Sequence, residues 1–111
     1  MTRVHIDMRL SVLMSAWASV AAADDVHITG ICEYSGDCEA GDLFLAIGSC
    51  RYIEQAVSAG AVAILCDQTL SQEVQKLALT VPVVTMPKLA ASSHQIIEHF
   101  YKQVEMSLQT V

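Results

Sequence analysis

Six consecutive apolar residues, Ala61-Val62-Ala63-Ile64-Leu65-Cys66, constrain this chain more than any other segment. A strand that faces water on one side alternates apolar with polar residues; a strand without a polar position needs cover on both faces. The flanking sequence supplies that cover. Between Cys50 and Ala59, Ile53, Ala56 and Val57 share one helical face, and Gly60 stands where a residue follows a helix end. Past the apolar run, Thr69 and Gln72 have the spacing of a capping box ahead of Val74, Leu77 and Ala78. Three more segments read as strands: Val26 to Cys32, Leu43 to Ile47 between Asp42 and Gly48, and Val81 to Met86. Pro82 donates no ladder hydrogen bond and belongs at the start or the edge of its strand. Pro87 suits the first turn of a last helix carrying Leu89, Ile96, Ile97, Phe100 and Val104. Strands alternating with helices over short links predict an α/β fold: a small three-layer domain with a mainly parallel sheet flanked by helices and right-handed crossovers.

At 111 residues the chain has room for one domain, spanning 1–111, with an N-terminal helix over about 9–22, an α/β body over about 26–103 and a tail over 105–111. The tail loses its periodicity and is expected to fray. In the N-terminal helix Leu10, Leu13, Met14 and Trp17 form an apolar stripe, and Ser11, Ser15 and Ser19 lie along another face. A secretory signal is the competing reading, because Arg3 and Arg9 precede the apolar stretch and Ala21-Ala22-Ala23 resembles a cleavage site. Asp7 and the serine spacing favour the structural helix and a cytoplasmic location. The apolar stretch is shorter than the roughly 20 residues of a membrane span, so no membrane partner is expected.

Twelve Asp and Glu against six Lys and Arg give a net charge of −6, which disfavours nucleic acid as a partner. Half of the acids, Asp24, Asp25, Glu33, Asp37, Glu39 and Asp42, fall in one stretch that contains no Lys or Arg. Such a stretch reads as a solvated acidic edge, with a cation site or a surface for a basic partner as the alternatives. Cys32, Cys38, Cys50 and Cys66 contain no C-x-x-C pair, so reduced, mostly buried thiols are expected and a metal is not. His94 and His99 fall off the apolar stripe of the last helix and read as solvated. No phosphate loop, G-x-G-x-x-G turn or nucleophile elbow is present. Cys50 beside Arg51 at a helix start is the one thiol placed for nucleophilic chemistry.

The order of segments nevertheless resembles a known family. Ile28-Thr29-Gly30-Ile31, then Ser35, then Gly41-Asp42-Leu43-Phe44-Leu45-Ala46, Arg51-Tyr52-Ile53-Glu54-Gln55-Ala56 and Gly60-Ala61-Val62-Ala63-Ile64-Leu65 follow the pattern of the N-terminal domain of Mur ligases, most like the MurE type. Val81-Pro82-Val83-Val84 and the helix ending Phe100-Tyr101 continue the likeness. The resemblance implies a MurE/MurF N-terminal-domain-like fold that recognises the uridine end of a UDP-N-acetylmuramoyl-peptide in peptidoglycan precursor synthesis. It implies Glu33, Ser35, Gly48 and Ser49 as ligand-binding positions, with no catalytic residue and no cofactor. The family's ATP loop follows the Phe-Tyr helix and is not among these residues, so the domain is expected to be non-catalytic unless it is a fragment of a longer ligase. Where the family carries Leu-Asp-Ser-Arg, this chain has Glu33-Tyr34-Ser35-Gly36, and Gly48-Ser49-Cys50 replaces a Gly-His-Gln-type loop. The arginine is lost and Glu33 is new, and a carboxylate repels a diphosphate by about 1–4 kcal/mol at 4 Å, depending on the local dielectric. That departure supports the alternative expectation, a stand-alone degenerate domain serving protein–protein interaction or regulation, with a protein partner or a homodimer.

Overall fold

The computed structural model describes residues 8–109, with side chains through Gln103. Arg3 and Asp7, which bear on the signal-peptide reading, lie outside the described residues, as do the last two residues of the tail and the side chain of Val104. Four parallel strands form one sheet in sequence order: β3 (Gly30–Cys32), β4 (Asp42–Ala46), β5 (Ala63–Asp67) and β6 (Val83–Met86). A two-stranded antiparallel ribbon precedes it, pairing β1 (Met8–Arg9) with β2 (His27–Ile28). Helices α1 (Leu10–Met14) and α4 (Leu89–Gln109) belong to one face of the sheet; α2 (Ile53–Ser58) and α3 (Ser71–Lys76) cover the other.

The pleat sorts the apolar residues between two cores. Ile31, Leu43, Leu45, Ala63, Leu65, Val84 and Met86 turn towards Leu10, Leu13, Met14, Leu89, Ile96 and Phe100 of α1 and α4. Their neighbours Cys32, Phe44, Ala46, Ile64 and Cys66 turn towards Ile53, Ala56 and Val74. The apolar run that anchors the fold thus becomes β5, central in the sheet and covered on both sides, as its lack of a polar position requires. Pro82 falls just before β6, where its carbonyl accepts from the Ile64 amide at 2.9 Å.

Several elements differ from the sequence expectation. The helix expected over about 9–22 is confined to Leu10–Met14 and ends in a turn, with the Trp17 amide donating back to Met14 O at 2.8 Å. The Ser15 hydroxyl donates to Val12 O at 3.1 Å, the kind of local bond through which serine weakens a helix. Its apolar stripe is nevertheless real: Leu10, Leu13 and Met14 are fully buried and Trp17 is half-buried. The strand expected over Val26–Cys32 splits at Thr29, whose amide donates to Gly41 O at 2.9 Å, and its first half pairs with β1. The capping box of Thr69 and Gln72 gives way to Asp67, which accepts from the Thr69 amide and hydroxyl, both at 3.0 Å. A 3-10 turn over Gln68–Leu70 then precedes α3. Helix α4 starts two residues after Pro87, because Lys88 adopts a left-handed φ of 55°, and it continues to Gln109 through most of the tail.

Cys32 and Cys38 are joined by a disulfide, contrary to the expectation of reduced thiols. The 3-10 turn over Ser35–Asp37 brings their Cα atoms to 5.8 Å, inside the range a disulfide requires. His99 is likewise not solvated: it is half-buried and meets Trp17 edge-on at 5.6 Å, whereas His94 is exposed. The acidic stretch is not uniformly a solvated edge either. Asp42 is fully buried, and Asp25 holds the start of α1 by accepting from the Ser11 amide at 2.9 Å and its hydroxyl at 2.8 Å. No helix among the described residues is long and apolar enough to cross a membrane.

Candidate functional site at the carboxyl rim of the sheet

Parallel strands deliver all their following loops to one edge of the sheet, and ligands of open α/β domains sit along that carboxyl rim. Here the rim consists of the first residues after β3, from 33 to 38, with 47–52 after β4, 68–70 after β5 and Pro87-Lys88 after β6. One cleft along it, about 470 Å³, is lined by Asp67, Gln68, Thr69, Pro87 and Lys88. A smaller cleft of about 120 Å³ adjoins it through Asp67 and Thr69 and reaches Gly48, Leu70 and Ala90.

Asp67 organises this region. Thr69 occupies its Oδ1, and its Oδ2 accepts from the Leu89 amide at 3.0 Å, so one carboxylate ties the end of β5 to the first residue of α4. These donors favour the charged form and hold the Asp67 carboxyl below its ordinary value, the Thr69 amide contributing most. The left-handed turn at Lys88 lets its carbonyl accept from the Ala91 and Ser92 amides at 3.1 and 3.2 Å, which satisfies two more donors of the first helical turn. The result is a fixed, ionised acceptor flanked by a hydroxyl and an ammonium-bearing side chain.

Of the four positions the resemblance implies, Gly48 lines the smaller rim cleft. Ser49 is nearby in sequence, but its hydroxyl accepts from the Arg51 amide at 3.3 Å. Ser35 donates to Oε1 of Gln55 on α2 at 3.1 Å. Glu33 lies apart, in a third cleft of about 230 Å³ between the β3 loop and α4, with Tyr34, Asp37 and Tyr101. The four positions therefore share the rim but not a cleft.

Cys50 lacks the lowered thiol pKa expected of an activated nucleophile. Burial, with the charge and a hydrogen bond of the Glu73 carboxylate, pushes its thiol above the ordinary value, opposite to what Arg51 alone would do. Sequence reasoning passed over Asp67, Thr69 and Lys88. The available signal was an aspartate closing a continuous apolar strand with a threonine two residues on, a combination that marks a turn at the carboxyl end of a buried strand. No family model matches this chain, and no curated protein matches it either.

Proposed function

We propose that this chain is a non-catalytic, cytoplasmic recognition domain that takes the uridine end of a UDP-N-acetylmuramoyl-peptide at its carboxyl rim. The observation that carries the reading is the cleft where β5 and β6 end, with ionised Asp67, Thr69 and Lys88 on its walls. Its volume of about 470 Å³ is within the range of small-molecule sites, about 300–1,000 Å³. Asp67 suits ribose hydroxyls, which donate to a carboxylate, and Lys88 is the cation that a first phosphate would meet. Gly48 on the adjoining wall links the cleft to the family-like positions.

The test is an amide-shift titration of the full chain with the UDP-N-acetylmuramoyl-dipeptide, UDP and uridine. Shifts are expected at Gly48, at Asp67 to Thr69 and at Lys88 to Ala90, and Lys88→Ala should weaken UDP several-fold while sparing uridine. No shifts at millimolar ligand would refute the reading.

A second reading, protein–protein interaction, rests on the other side of the sheet. Among the described residues β6 is an edge strand, bordered by a groove of about 380 Å³ that includes Val74, Leu79, Val83 and Thr85. An open edge is a template for a further strand. Concentration-dependent mass in light scattering, with rim amides unmoved by nucleotide, would favour it.

A further inference from the structure

The β3–β4 connection is unusual for parallel neighbours. It spans only residues 33–41, whereas parallel crossovers ordinarily need a dozen or more residues and a helix. The other two crossovers of the sheet each carry a helix, α2 and α3. In the short one, Cys38 returns to the end of β3 and bonds to Cys32. The pleat puts a third group in the same place. Asp42 pairs with Gly30 and Phe44 with Cys32, so Gly30, Cys32, Asp42 and Phe44 address the same face of the sheet. The Cys32 and Cys38 sulfurs and an Asp42 oxygen all lie within 4.8 Å of one another.

We propose that Cys32, Cys38 and Asp42 form a redox-gated site for a thiophilic divalent cation of the zinc type. In the oxidised chain the sulfurs are spent on each other. A dithiol reductant supplies two electrons and two protons: the S–S bond breaks, Cys32 and Cys38 become thiols, and the reductant leaves as its own disulfide. Metal binding then releases the two thiol protons to solvent as two sulfur–metal bonds form, with an Asp42 oxygen as third ligand and water as fourth.

Geometry, ligand type and charge support the assignment. Zn–S bonds of about 2.3 Å in a tetrahedron place ligand atoms about 3.8 Å apart; the Asp42 oxygen already lies within 4.8 Å of both sulfurs, and reduction lets the sulfurs separate from bonding distance. Two thiolates with one carboxylate select a borderline-soft ion over Mg²⁺ or Ca²⁺. The reduced, deprotonated cluster carries three negative charges, two of which a bound dication offsets. Cys32 and Asp42 are buried, while half-buried Cys38 gives the ion a way in. The metal would also replace the disulfide as the tie across a crossover that has no helix.

The experiment titrates Zn²⁺ against a chromophoric chelator, and Co²⁺ by its thiolate charge-transfer absorption, into the reduced and oxidised full chain carrying Cys50→Ser to remove the half-buried free thiol. One ion per reduced chain is expected, with the thiolate band for Co²⁺ and a raised melting temperature for the Zn²⁺ form; the oxidised chain should bind neither. Cys38→Ser should abolish the band, and Asp42→Asn should retain it with affinity lowered about tenfold or more. Equal Zn²⁺ affinity in the reduced and oxidised chains, or an unchanged band in Cys38→Ser, would overturn the proposal. Because Asp42 is buried, circular dichroism of Asp42→Asn accompanies its titration; a folded variant with unchanged affinity also overturns the three-ligand assignment.

Discussion

Gly60 joins α2 to β5 at a φ of 113°, and the space around it makes a strong demand on the sequence. A Cβ at this position would lie 2.6 Å from Ala40 Cα and 2.9 Å from Ala40 N, both backbone atoms of the β3–β4 crossover. Those atoms have little freedom to retreat, because the Gly41 amide donates to Gly60 O at 3.0 Å and clamps the two segments together. Gly60→Ala therefore combines backbone strain of about 1–3 kcal/mol with an overpacking cost of similar size. Their sum, about 4 kcal/mol, is a large part of the roughly 6–17 kcal/mol expected for a domain of this length. Gly48→Ala is the control. Its φ of 85° imposes strain, but nothing lies within 4 Å of an added Cβ, so the cost is confined to about 1–2 kcal/mol. Urea unfolding followed by Trp17 fluorescence and far-ultraviolet dichroism measures both. With a denaturant slope of about 2 kcal/mol per molar, the midpoint should fall by about 2 M for Gly60→Ala and by less than 1 M for Gly48→Ala. Equal losses in the two variants would refute the claim that backbone proximity, rather than φ alone, selects glycine at position 60.

Leu65→Ala removes a fully buried side chain from the centre of the larger core and should cost about 2–5 kcal/mol, whereas Ile64→Val on the opposite face of β5 should cost about 0.5–1.5 kcal/mol, both read from urea midpoints. The Ser11 amide, followed by its hydroxyl, holds the Asp25 carboxyl below its ordinary value, so its contribution is present above about pH 4 and is lost as pH falls through the depressed native value. Stability curves of the wild type and Asp25→Asn should accordingly separate above that pH, wild type higher, and converge in stronger acid. Burial, reinforced by Cys50 and Asp67, pushes the Cys66 thiol up to about 11 from 9.0, so native stability should decline as pH rises through that interval. Native-state alkylation at neutral pH should modify half-buried Cys50 and spare Cys66 until the chain unfolds.

What could be read from the sequence follows the range over which each signal acts. The central strand and the helix before it were legible because an apolar run and a 3.6-residue stripe are local patterns, and Gly60 punctuates them. The stripe of the first helix was legible too, but not its length: of the serines on the other face, Ser15 bonds to the nearby Val12 carbonyl, and the helix stops at Met14. The β1–β2 ribbon has two residues per strand, too few for a period to register. Asp67 acquires its role from Leu89, 22 residues away, and the proximity of Cys38 to Asp42 depends on how the crossover folds back. Such groupings are products of topology: local spacing marks the turn at Asp67 and Thr69 but not the distant partner that the fold brings to it.

The two faces of the sheet also differ in how firmly they hold the rim. Helix α4, 21 residues long, packs with α1 over one face, and its first amide is fixed to the end of β5 through Asp67. The other face is covered by two helices of six residues each and, beside β3, by a crossover that relies on a cross-link instead of a helix. A recognition site needs groups held in place before the ligand arrives. Asp67 and Thr69 satisfy that condition because they are hydrogen-bonded to each other and, through Asp67, to the first amide of α4, where that helix meets a central strand of the sheet. Glu33 and Ser35 sit on the crossover, whose geometry depends on the state of Cys32 and Cys38. Ligand affinity at the β5–β6 end is therefore expected to be insensitive to thiol oxidation, and any contribution from the β3 loop to change with it.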